Sequence, residues 1–338
     1  MFLRDRLNQL KFISGIAMKY PFDICLQITN RCNMKCDFCN FWSKEIPESE
    51  ELSLDELRKL SKRLSRFGCF LISIEGGEPT LRPDLVDIVR AFARYHLPVL
   101  YSNGWTLTAE LGKALFDAGL TQIGISIDFP DFKRHDESRG IAGSFTKAWN
   151  AVEMMRELAP NGGKQVHVMT ILMRQNQDEI ERMLKISERY KVGHYITLLS
   201  PHRISRENAG KYDYPATPVS EDLLQLRKNH SHLKSFYDYL ARFDDFIEKK
   251  EMPECQMGKQ MFNIVPTGDV TPCNEKLDWL AGNIRRDSLK SIFKKLKADT
   301  RVSQCQDCWL LCRGFSQVLG ERGTFQGWYD LLTRLRST

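Results

Sequence analysis

Between Asp23 and Leu199 short apolar runs alternate with amphipathic segments, and this alternation restricts the fold more than any other feature. The strand-like runs are Asp23 to Thr29, Phe70 to Glu75, Pro98 to Ser102, Gln122 to Ile127, Gln165 to Ile171 and His194 to Leu199. Helical periodicity falls at Ser53 to Phe67, Asp84 to Tyr95, Thr108 to Ala118, Ser144 to Leu158 and Gln177 to Tyr190, with caps at Ser53 and Thr108. Such a succession makes the strands parallel through right-handed crossovers, and a partial (β/α)6 TIM-like barrel is the simplest closure.

Parallel α/β folds carry their sites in the loops after the strands. Here the loop after the first strand holds Cys32, Cys36 and Cys39, spaced C-x3-C-x2-C. Three thiolates on one loop can bind three irons of a cubane or three sides of a zinc ion, and either leaves a coordination position open. A closed zinc site wants a fourth ligand, but the nearby Cys25 lies in a strand and Cys69 opens another, and both read as buried apolar side chains. Gly76-Gly77-Glu78-Pro79 follows the second strand, Ser102-Asn103-Gly104 the third, and Ser126 and Asp128 flank the end of the fourth. The glycines let backbone approach a ligand, and Glu78 adds a carboxylate acceptor.

The motif C-x3-C-x2-C, with Phe38 before its last cysteine and the GGEP run one strand later, resembles the radical S-adenosylmethionine (radical SAM) superfamily. The resemblance implies a [4Fe-4S] cluster on Cys32, Cys36 and Cys39, with S-adenosyl-L-methionine chelating the fourth iron. It assigns the methionine amino group to Gly76, Gly77 and Glu78 and the cofactor carboxylate to Arg139, while Asn103, Ser126 and Asp128 suit a ribose diol or the methionine end. The implied chemistry is reductive cleavage to a 5′-deoxyadenosyl radical that abstracts a substrate hydrogen, with electrons from a partner such as flavodoxin or ferredoxin.

A second set of cysteines follows: Cys255, Cys273, Cys305, Cys308 and Cys312. Gly268 to Cys273 reads as a hairpin returning a thiolate, and zinc is a serious alternative here. Cys255-x12-Gly268-x4-Cys273 resembles the start of the SPASM/twitch extensions of radical SAM enzymes. Ser316 stands where a fuller form has another cysteine, which implies one auxiliary [4Fe-4S] cluster, on Cys255, Cys273, Cys305 and Cys308, with Cys312 a spare or alternative ligand.

The expected divisions are an N-terminal amphipathic helix (1–20) with Leu3, Leu7, Leu10 and Ile13 on its apolar stripe, the barrel (21–219), a helical connector (220–254) and the auxiliary-cluster domain (255–338). Ser220 to Lys250 reads as a long helix or helix pair. The 338 residues contain no run of membrane-spanning length and no secretory signal, and the ten cysteines are clustered as for metal, so a soluble cytoplasmic protein is expected. A net charge of +6 is too diffuse for a nucleic-acid footprint.

Two substrate classes compete. An oxidation or bond formation on a small molecule such as a sugar, cyclitol or nucleoside is the first expectation, because no N-terminal peptide-recognition domain precedes the cysteine loop. Modification of a ribosomal peptide is the second. A non-catalytic iron-sulfur electron carrier or zinc module is the reading from another class, but it has no use for the polar strand ends. Asn274 stands where sulfatase-maturing relatives place a basic aspartate, leaving Glu275 or His202 as candidate bases.

Overall fold

The computed structural model describes residues 2–17, 21–44, 46–160, 164–204, 208, 210–319 and 324–336. After α1 (Phe2–Ala17) come β1 (Asp23–Thr29), α2 (Leu54–Leu64), β2 (Leu71–Gly76), α3 (Leu85–Ala93), β3 (Leu97–Ser102), α4 (Ala109–Ala118), β4 (Gln122–Ser126), α5 (Phe132–Arg139), α6 (Ser144–Leu158), β5 (Gln165–Leu172), α7 (Ile180–Arg189) and β6 (Gly193–Leu198). These six strands are parallel and adjacent in chain order, and β6 does not pair with β1, so the barrel is open. The expected caps form: Ser53 and Glu56 make a reciprocal capping box on α2, and Thr108 Oγ1 accepts from Leu111 N–H at 3.2 Å.

Alternation along each strand separates two environments. Ile24, Leu26, Ile28, Ile72 and Ile74 pack outward against Leu57, Leu60, Phe92 and Leu115 of the helices, all buried. Each such side chain contributes about 1.5–3 kcal/mol by leaving water. The intervening residues, Asp23, Cys25, Ser73, Glu75 and Tyr101, face the lumen.

The helix α1 closes the lumen from the strand-start side, but through a different stripe from the expected one. Asn8, Phe12 and Ile16 are buried, Phe12 lies edge-on to Phe22, and Asn8 donates to the Ala93 and His96 carbonyls at 3.4 Å. Leu7 and Leu10 stay exposed, and the Leu3 side chain lies outside the described residues. The aromatic Phe12 fills the barrel mouth better than the leucines one turn face away, so it sets the docking angle.

The segment expected as a long helix or helix pair is instead broken into α8 (Ser220–Asn229), α9 (Tyr237–Leu240) and α10 (Phe243–Ile247). Its aromatics explain the breaks: Phe236, Tyr239 and Phe243 are all buried, around Trp309 and Phe315, and a single straight helix would turn part of that set to water. Next, β7 (Met261–Ile264) and β8 (Asp269–Thr271) form the expected hairpin, with Gly268 at φ +87° in its turn. The sequence did not announce that β7 pairs in parallel with β1, or that β9 (Gly282–Asn283) extends the sheet to nine strands. The helices α11 (Leu289–Ala298), α12 (Thr300–Gln304), α13 (Leu311–Leu319) and α14 (Phe325–Arg336) complete the chain. No helix among the described residues is long and apolar enough to cross a membrane.

Candidate functional site

The first cysteine loop leaves β1 and rests on the Gly-Gly-Glu turn after β2. Gly77 N–H donates to the Thr29 carbonyl at 2.7 Å, and Glu78 N–H to the Arg31 carbonyl at 2.8 Å. A Cβ on Gly76 would lie 2.2 Å from the Thr29 carbonyl oxygen, and one on Gly77 2.1 Å from that of Arg31. The close approach inferred from these glycines is therefore made in the first place to the cysteine loop's own backbone.

Glu78 is not a free acceptor either. One carboxylate oxygen takes Thr80 N–H at 3.1 Å, Thr80 Oγ1 and Ser102 Oγ at 2.8 Å, and the other takes Asn103 N–H at 2.7 Å. Burial pushes its pKa up against these four donors. Glu78 ties the loop after β2 to the loop after β3, a positioning part. Asn103 donates to Asn33 Oδ1 at 2.8 Å on the cysteine loop, and Ser126 is half-buried at the end of β4.

On the other side, Asp37 N–H donates to the Ser138 carbonyl at 3.0 Å, bringing in α5 and Arg139. Arg139 is buried, pairs with Asp128, reaches Cys36 Sγ at 4.0 Å and stacks 5.2 Å from the Phe38 ring. Burial disfavours its charge, but Asp128 and Cys36 outweigh that and hold the guanidinium above its ordinary pKa. Asp128 in turn accepts from Ile171 N–H at 2.9 Å, so it serves Arg139 and β5 instead of projecting toward a ribose. The Arg139 Nε is buried with no hydrogen-bond partner, an open donor beside the cysteines that fits a ligand carboxylate.

In the second set, Cys255 precedes β7, Cys273 follows β8, Cys305 caps α12, and Cys308 and Cys312 flank the start of α13. Cys255, Cys273 and Cys308 neighbour one another electrostatically, Cys305 joins beside Cys255, and Cys312 lies beside Cys308 and Cys273. Cys312 also lines the barrel lumen. Arg313, fully buried, donates to the Cys308 and Pro253 carbonyls, both at 2.8 Å, and its Nε has no partner. It has no ion pair among the described residues. A buried cation needs a counter-charge, and a thiolate-bound cluster of net negative charge supplies one.

Burial pushes Cys32 up to about 11, and Cys36 and Cys273 up to about 12. Such thiols give up their protons to bound metal. Among the described residues neither set gathers three sulfurs within 4.8 Å of one another. One tetrahedral zinc with ~2.3 Å bonds would need sulfurs about 4 Å apart, whereas a cubane gives each thiolate its own iron and spreads them wider.

A lumen cavity of about 280 Å³ is bordered by Phe38 from the first loop and by Cys312 and Asn274 from the second. Its wall carries two acids that sequence reasoning missed, Asp23 and Glu75. Burial, then Glu75, raises Asp23 to about 7; burial likewise raises Glu75, against Arg203. Their one signal in the sequence is a charge within an otherwise apolar strand. Of the two candidate bases, Glu275 accepts from Arg203 at 2.6 Å and from Ser200, both on the cavity wall; burial is outweighed by Arg203, which holds it below the usual range. His202 is exposed, faces the Asp307 carbonyl at 3.2 Å and does not line the cavity.

Residues 26–186 match the family model of the radical SAM superfamily, and residues 255–309 that of an iron-sulfur cluster-binding domain, SPASM. Over 314 residues the chain is 28% identical to the mycofactocin maturase MftC of Mycolicibacterium smegmatis, covering 86% of this chain and 77% of that protein. It is 27% identical to the AdoMet-dependent heme synthase of Oleidesulfovibrio alaskensis over 80% of this chain and 74% of that one. To the PqqA peptide cyclase of Rhodopseudomonas palustris it is 28% identical, over 75% and 67%. Among solved structures, Streptococcus suis SuiB bound to precursor peptide SuiA aligns with a TM-score of 0.64 at 15% identity, covering 91% and 74%, a likeness of fold. The chain therefore belongs to the radical SAM superfamily, carries a SPASM-type iron-sulfur domain, and has S-adenosyl-L-methionine and [4Fe-4S] clusters as its cofactors.

Proposed function

We propose that this enzyme carries out a radical redox modification of a ribosomally made peptide. The observation that carries the reading is a lumen cavity bordered at once by Phe38 of the first cysteine loop and by Cys312 of the second set. A volume of about 280 Å³ is small for a ligand site and admits a side chain or two of a larger substrate. The relatives include a peptide cyclase, which favours a peptide over the sugar or cyclitol expected first.

In this reading Cys32, Cys36 and Cys39 hold the cluster that binds S-adenosyl-L-methionine, and Cys255, Cys273, Cys305 and Cys308 hold the auxiliary one, with Cys312 in reserve. The bound cofactors supply a carbon-centred radical and an electron acceptor. The chain's own residues orient and enclose: Arg139 offers Nε to a carboxylate, Glu78 fixes the loops around it, and α1 stops water at the strand-start mouth. Asp23 and Glu75 favour a substrate group that donates hydrogen bonds or carries positive charge, and a flavodoxin or ferredoxin delivers the electron. Residues 21–219 form the catalytic unit, 220–254 the connector and 255–338 the auxiliary unit.

The test uses anaerobically reconstituted enzyme, S-adenosylmethionine and a reductant, with short peptides encoded beside its gene, tetrapyrroles and aminocyclitols in parallel. The reading expects 5′-deoxyadenosine release coupled to a mass change in a peptide alone. Turnover confined to a tetrapyrrole or a cyclitol would overturn it.

A further inference from the structure

Two histidines and a glutamate cluster at the end of the sheet where strands begin, away from the carboxyl-end loops. Glu188 closes α7, and His230-Ser231-His232 forms the turn after α8. This turn is pinned to the first residues of β6: His194 N–H donates to the His232 carbonyl at 2.8 Å, and Lys234 N–H donates to the His194 carbonyl at 2.7 Å.

One ligand atom from each of Glu188, His230 and His232 lies within 4.8 Å of the other two. The carboxylate is shared: Oε2 is 3.5 Å from His230 Nδ1, and Oε1 is 4.0 Å from His232 Nδ1. The rings stand almost perpendicular, 85° apart with centroids at 5.6 Å, so their nitrogens converge from different directions. His232 Nε2 is 3.0 Å from the Leu184 carbonyl. A carbonyl only accepts, so Nε2 carries the proton and, in the neutral ring, Nδ1 turns a lone pair toward Glu188. Fixing one imidazole nitrogen on a backbone carbonyl is how metal-binding histidines are commonly oriented. His230 is 8% exposed, and its Nδ1 makes no hydrogen bond. His232 thus turns a lone pair toward the carboxylate, and the unbonded His230 Nδ1 stands on the carboxylate's other oxygen, so the three groups converge on a gap that a cation would fill.

We infer that Glu188, His230 and His232 bind a zinc-type divalent transition metal, with water at the remaining position. Two imidazoles and a carboxylate suit zinc and its neighbours, whereas calcium and magnesium demand oxygen throughout. With zinc bonds of ~2.0 Å the donors would close to about 3.3 Å, a contraction within the reach of the exposed Glu188. Bound there, the ion would clamp the last turn of α7 to the α8–α9 turn and brace the start of β6.

The test takes tag-free, iron-loaded enzyme, adds zinc chloride, removes excess by gel filtration, and measures bound zinc together with the zinc K-edge X-ray absorption. One zinc per chain is expected, with a first shell of nitrogen and oxygen at ~2.0–2.1 Å. Glu188→Gln, a change at an exposed position, should weaken binding by about tenfold or more, and His232→Ala should abolish it, both with unchanged iron content and 5′-deoxyadenosine production. No retained zinc, a sulfur shell at ~2.3 Å marking zinc on the cysteines, or full binding by Glu188→Gln would each overturn the assignment.

Discussion

Gly77→Ala tests whether the Gly-Gly turn is first a seat for the cysteine loop. The new Cβ would stand 2.1 Å from the Arg31 carbonyl oxygen and 2.6 Å from that of Asn30. Ordinary carbon–oxygen contact is ~3.3 Å, so the loop must retreat by roughly 1 Å. That breaks the Gly77–Thr29 and Glu78–Arg31 hydrogen bonds, now 2.7 and 2.8 Å. Two lost bonds at about 0.5–1.5 kcal/mol each and an overpacking cost of about 1–3 kcal/mol total roughly 2–6 kcal/mol. For a chain of this size the corresponding drop in Tm is roughly 3–8 °C. Anaerobic calorimetry at one scan rate reads the stability, and iron content with S-adenosylmethionine affinity reads the loop; all three should fall together. Gly15→Ala in α1, where nothing lies within 4 Å of the added carbon, is the control and should change stability by no more than about 1 kcal/mol. A Gly77→Ala enzyme with native Tm and full iron would refute the steric argument.

Asp23 keeps its proton to about 7 in the fold, while the unfolded chain releases it near 3.8, so stability falls as pH rises between those values and the deficit is complete above them. Asp23→Asn should raise Tm at pH 8, by the equivalent of at most about 4 kcal/mol, and leave it unchanged at pH 4; equal gains at both would remove titration as the cause. Cys305→Ser should cost roughly half of the iron, and Cys312→Ser should leave iron intact while slowing substrate turnover, because Cys312 borders the lumen; the reverse pattern would exchange their roles. Arg313→Met removes the buried cation of the second set and strands the Cys308 and Pro253 carbonyls, at about 1–3 kcal/mol each. Selective loss of the auxiliary cluster's spectrum is the outcome to look for, and a full signal with wild-type potential would contradict the pairing.

The six parallel strands were legible because each buries one face against helices, which writes an apolar run between polar ends. The cysteine sets were legible because local spacing delivers the thiols. What stayed hidden depends on partners distant in sequence. Gly77 looked ligand-facing because nothing local says that Arg31 lies above it, and Glu78 looked free until the loop after β3 was folded onto it. The α1 stripe was misread since Leu7 and Leu10 match the helical period as well as Phe12 does, and only the shape of the barrel mouth selects the aromatic. Asp23 and Glu75 were passed over because a strand-borne acid has no motif. The broken course of residues 220–250 follows from Phe236 and Tyr239 both needing cover near Trp309, which period alone does not reveal.

The parallel ladder between β1 and β7 has a mechanical consequence. The strand that launches the first cysteine loop is stitched, Asp23 to Met261 through Leu26 to Ile264, to β7, the first strand of the hairpin that leads from Cys255 to Cys273. The separation of the two redox centres is thus set by a rigid ruler of backbone, with no hinge along it. Electron tunnelling distance should hold constant through the catalytic cycle, and entry of a substrate must come by movement of side loops, since swinging one centre away from the other would tear the sheet.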